Sequence, residues 1–91
     1  ESDLNTIKKI IDTYKYKGVS YHGLRTRQSA TRSFMSVHLL VPGKLSVQEA
    51  HDLSEEIEEK IAAEFQKLTI LTHLEPVEDP KSHADISIDR K

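Results

Sequence analysis

The chain has 91 residues, 36% of them hydrophobic and 31% charged, with a net charge of -2, so it is one small domain near the lower end of what folds alone. That balance favours neither nucleic acid nor an anionic membrane surface as a partner. The absence of cysteine excludes disulfide frameworks, thiolate metal sites and cysteine nucleophiles.

Ser2 and Asp3 are N-cap candidates, and Leu4, Ile7, Ile10, Ile11 and Tyr14 follow at helical spacing. The pattern predicts an amphipathic helix over 3–15, ended or turned by Gly18. Residues 19–27, from Val19 to Arg27, read as a strand, and 28–32 as a polar hairpin loop. A second strand is predicted over 33–41, stopped by Pro42 and Gly43. Its alternation puts Met35, Val37, Leu39 and Val41 on one face and Phe34, Ser36, His38 and Leu40 on the other. Ser46 with Glu49 forms a capping box at the head of a helix over 46–65. The apolar stripe of that helix is Val47, Ala50, Leu53, Ile57, Ile61 and Phe65. Residues 68–75 predict a third strand closed by Pro76, and the polar stretch 77–91 is expected to be a mobile tail.

The order helix, strand, strand, helix, strand predicts an α+β sandwich, two helices on one face of a three-stranded sheet. The crossover through the second helix is long enough to leave the second and third strands parallel. No apolar run approaches the ~18–20 residues of a membrane span, and no signal peptide is read at the start. The abrupt opening Glu1, Ser2, Asp3, Leu4 suits a piece of a larger protein as well as a whole one.

Five histidines are the chemical feature of the chain. Taken singly, a histidine is more often a surface or half-buried residue than a ligand. Here, however, His22, His38 and His73 fall on three different strands of one small sheet. His38 points away from the helices, and His73 shares a face with Glu75. Imidazole and carboxylate on one side of a sheet suit Zn²⁺, which takes nitrogen and oxygen ligands. His51 with Glu55, one helical turn later, reads as a solvated pair or as a second metal locus. The run Arg25-Thr26-Arg27 with Arg32 is the basic cluster, read as binding an anion, pairing with the acidic helix or lining an interface, the last two favoured by the net charge. The chain contains no Gly-x-Ser-x-Gly turn, no Gly-rich phosphate loop and no His-Glu-x-x-His, so no catalytic set is visible.

Four pieces in order resemble the C-terminal cytoplasmic domain of the cation diffusion facilitator family of metal transporters. They are Gly18-Val19 with His22-x-Leu24-Arg25-Thr26-Arg27-Gln28-Ser29; Val37-His38; Leu45-Ser46-Val47-Gln48-Glu49-Ala50-His51; and Thr72-His73-Leu74-Glu75-Pro76. The resemblance spans residues 3–76, nearly all of the metal-sensing, dimerising domain expected over residues 1–76. It implies a ferredoxin-like, metallochaperone-like αββαβ fold that pairs as a homodimer below an upstream transmembrane domain, on the cytoplasmic side of a bacterial inner membrane. It implies divalent metal at the dimer interface, Zn²⁺ first, with Cd²⁺, Co²⁺, Fe²⁺ and Mn²⁺ as alternatives. The positions that match family ligands are His22, His38, His51, His73 and Glu75, with Glu75 shared between two metals.

The sequence departs from the family at Ala30, where relatives often carry Gly, and at Glu75, where some carry Asp. His83 matches no motif. The mechanism the resemblance implies is linkage: metal binds a closed dimer better than an open one, and ~1.4 kcal/mol of preference shifts that ratio tenfold. Because ligation needs neutral imidazole, binding should weaken as pH falls toward the ordinary histidine range near ~6.5. The competing readings are a stand-alone metal-binding or metallochaperone-like module and a small-ligand regulatory domain of similar topology.

Overall fold

A computed structural model describes residues 2–78 and gives the element order α1 (Ser2–Asp12), β1 (Ser20–Ser29), β2 (Arg32–Val41), α2 (Val47–Ala62) and β3 (Leu68–Pro76). The three strands form one sheet in the order β1-β2-β3, with β1 antiparallel and β3 parallel to the central β2. The expected α+β architecture is therefore present, two helices on a three-stranded mixed sheet.

The core lies between helices and sheet. Ile7 and Ile11 of α1 and Leu53, Ile57 and Ile61 of α2 pack with Met35, Val37, Leu39 and Val41 of β2 in one buried cluster. The predicted alternation along β2 thus holds, because a central strand in a one-sided layer buries every second residue. Truncating a side chain as enclosed as Ile57, which is 2% exposed, to alanine costs about 2–5 kcal/mol.

Element ends differ from the sequence expectation in ways that local hydrogen bonding explains. Helix α1 stops at Asp12 rather than residue 15; Thr13 Oγ1 donates to the Ile10 carbonyl at 2.6 Å, and a 3₁₀ turn over Lys15–Lys17 follows. Gly18, at φ 82°, closes that turn in the left-handed region. Helix α2 begins with the predicted capping box: Ser46 Oγ accepts from the Glu49 N–H, and Glu49 Oε1 accepts from the Ser46 N–H. It ends at Ala62, and the last turn tightens to three-residue bonds from Glu64 to Ile61 and from Phe65 to Ala62.

The expected 28–32 loop shrinks to the two residues Ala30 and Thr31, since Gln28 pairs with Ser33 and Ser29 with Arg32. Ala30 takes φ 54°, the positive value that two-residue hairpin turns demand. After β3, Val77 N–H donates to the Val41 carbonyl and Glu78 Oε1 accepts from the Gly43 N–H. The remainder of the expected tail, including His83, lies outside the described residues.

The largest departure is in β1. His22 pairs with His38 and Arg25 with Ser36, so Gly23 and Leu24 together face the single residue Val37. This is a β-bulge, with Gly23 at φ 65°. The extra residue shifts the alternation by one. Tyr21 and Leu24 both pack against the core, while His22 lies across from His38 and Arg27 across from Phe34 on the opposite face. A regular strand could not send residues 21 and 24 to one face.

Candidate metal centre

The face of the sheet that the helices leave uncovered carries the chemistry. The register puts His22 beside His38, His38 beside His73, and Leu40 beside Glu75. Cross-strand neighbours in such pairs sit within side-chain reach, and the rings do meet. His22 and His38 stack with centroids 4.9 Å apart, and His38 and His73 make an edge contact at 5.1 Å. Leu40, buried but outside the helix-side cluster, lies in β2 next to Glu75.

Glu75 draws two of these rings together. Its Oε2 lies 2.6 Å from His38 Nδ1 and its Oε1 3.4 Å from His22 Nε2. With the carboxylate ionised, His38 Nδ1–H is the donor in the short bond, a charge-assisted contact. His22 and Glu75 are largely enclosed, with side chains 12% and 14% exposed, and His38 is more open at 33%. Both ring nitrogens of His22 are buried without a hydrogen-bond partner. Leaving such a group unsatisfied costs about 1–3 kcal/mol, so natural structures rarely keep one without a use.

A divalent cation fits this donor set. One ligand atom from each of His22, His38 and Glu75 lies within 4.8 Å of the others. Tetrahedral zinc with bonds of ~2.0–2.1 Å needs donors about 3.3 Å apart. The 3.4 Å between His22 Nε2 and Glu75 Oε1 already meets that spacing. The ion would give the lone pair of His22 a partner and replace the proton held between His38 and Glu75.

The other two sequence candidates stand beside this group rather than in it. His73 is exposed and touches the cluster through the His38 ring. His51, on the first turns of α2, is 57% exposed and lies 3.5 Å from Asp52 and 3.6 Å from Glu55. His51 and Glu75 nonetheless line one cleft of about 340 Å³ together with Leu45, Val47, Leu74 and Pro76. Val47, expected on the apolar stripe of α2, is instead 88% exposed at its start.

Gly23 is the residue the sequence reading passed over. Its signal was present, because an isolated glycine inside a strand pattern often marks a bulge or a close approach. A Cβ at this position would lie 3.0 Å from His38 Cδ2.

Residues 1–77 match the family model described as the cytoplasmic domain of cation efflux proteins. The chain is 47% identical over 81 residues to the "Uncharacterized transporter sll1263" of Synechocystis sp., a match covering 89% of this chain and 26% of that protein. Among solved structures it is similar to the transporter CzrB, at 33% identity and a TM-score of 0.75, covering 82% of this chain and 93% of that one. The Zn form of CzrB superposes with a TM-score of 0.74, at the same 33% identity, over 82% of this chain and 85% of that one. The chain spans about a quarter of the length of the curated relatives it matches.

Proposed function

The chain belongs to the family of cation efflux protein cytoplasmic domains, a transporter domain and not an enzyme, and from that premise we propose that it senses divalent metal for an efflux transporter. In this reading residues 1–76 form the sensing and dimerising unit, attached to a transmembrane domain of the whole protein on the cytoplasmic side. The observation that carries the proposal is the convergence of His22, His38 and Glu75 from three strands onto the helix-free face.

Zn²⁺ is the ion the donors favour, two imidazole nitrogens and a carboxylate being borderline in softness. His73 and His51 flank the group and supply ligands to a second ion, with Glu75 between the two loci. A second copy completes the coordination, so the metal binds the closed homodimer better than the open one and shifts the pair toward it. In the absence of metal, the Glu75 carboxylates of two copies brought face to face repel one another. The Zn form of CzrB, a relative at 33% identity, supports the choice of metal.

Calorimetric titration of Zn²⁺ at neutral pH, combined with sedimentation velocity, tests the proposal. The expected result is saturable binding of one or two ions per subunit with a more compact dimer. Absence of binding, or binding that His38→Ala leaves intact, would overturn it.

A further inference from the structure

We infer that Gly23 is a positioning residue of the metal centre, and that its left-handed backbone, rather than its small size alone, brings His22 against His38. The inference rests on the metal-sensing reading above. His22 must face outward beside His38 while Tyr21 and Leu24 face the core, and only an inserted residue between strand partners reconciles the two demands. Gly23 absorbs the insertion at φ 65°, a conformation that side chains with a branched Cβ avoid.

If residue 23 relaxes toward negative φ, the bulge opens. The ring of His22 then leaves its 4.9 Å stack on His38 and its 3.4 Å approach to Glu75 Oε1. Metal binding would have to re-form the strained turn each time, and the affinity would fall. Bulk makes a different prediction. Any Cβ at 23 meets His38 Cδ2 at 3.0 Å, so a purely steric role would penalise side chains by size.

The series Gly23→Asn, Gly23→Ala and Gly23→Val separates these causes, because asparagine tolerates positive φ and yet is larger than alanine. Zn²⁺ affinity is measured by calorimetry on each folded variant, with apo thermal melts alongside. In the metal-free state, nuclear Overhauser contacts between the His22 and His38 imidazole protons report whether the rings remain stacked. The expected order of affinity is Gly, Asn, Ala, Val. The Asn variant should fall within about threefold of the unsubstituted chain, the Ala variant about tenfold below it, and Val lower still. The ring contacts should persist in Asn and fade in Val, or in Ala if Val does not fold. An Ala variant that binds better than Asn overturns the inference in favour of bulk, and equal affinity across the series removes any positioning role. If the unsubstituted chain binds no Zn²⁺, the metal-sensing reading fails and this inference with it. If it binds and the series is flat, only the inference fails.

Discussion

His38 and Glu75 meet at 2.6 Å across neighbouring strands, in a cluster that also encloses His22, whereas His51 and Glu55 meet at 3.6 Å along one helix in the open. Both are histidine–carboxylate pairs. The first is fixed by sheet register, with the Glu75 side chain only 14% and the His38 side chain 33% exposed. The second rests on i,i+4 spacing with Asp52 also beside the ring, exposed contacts worth only a few tenths of a kcal/mol in water. A cation gains most where the ordering cost has already been met during folding. In the proposed reading the sheet cluster is therefore the expected tight locus, and the helix pair contributes only where something else orders it.

The contrast can be broken most directly at the cluster. His38→Ala or Glu75→Gln should weaken the tight Zn²⁺ event by about 100-fold or more by calorimetry, since removing a ligand costs more than removing a supporting contact. Retained affinity in either variant would mean that the tight locus lies elsewhere. Ser46→Ala removes the capping box of the helix that carries His51 and should lower stability by about 1 kcal/mol in urea denaturation. It should leave the tight event unchanged, and a parallel loss of affinity would show that the helix and sheet loci are coupled.

His22→Leu sharpens the comparison from the side of stability. It replaces an imidazole whose nitrogens are buried without hydrogen bonds by an apolar group. The apo domain should gain about 0.5–1 kcal/mol while losing metal binding, the trade expected where a site is retained for function. An apo domain destabilised by this change would show that His22 is held for packing. The smallest effect is expected for His51→Ala, within about threefold on the tight event, with the loss confined to a second, weaker one. A loss as large as that of His38→Ala would make His51 a full member of the first site.

What the sequence determined by itself was the periodic patterning along each element, though not where every element ends. Helical spacing of Ile7 and Ile11, and of Leu53, Ile57 and Ile61, set the two buried stripes, and Ser46 with Glu49 marked the start of α2. The period of two along β2 placed His38 opposite the core residues, and the same period on β3 put His73 and Glu75 together. The family, too, was legible, because its motifs are short local runs.

The tertiary structure decided which of the candidate ligands converge. The five candidates come from three strands and a helix, and one sequence cannot say how far strands slide past each other or where one of them bulges. The register that pairs His22 with His38 and sets Leu40 beside Glu75 arises from many backbone hydrogen bonds acting together. The shift at Gly23 answers to a core that must receive both Tyr21 and Leu24. A one-residue slip would have sent His22 to the other face, so long-range packing alone decided that His22, His38 and Glu75 form one group and that His51 stands apart.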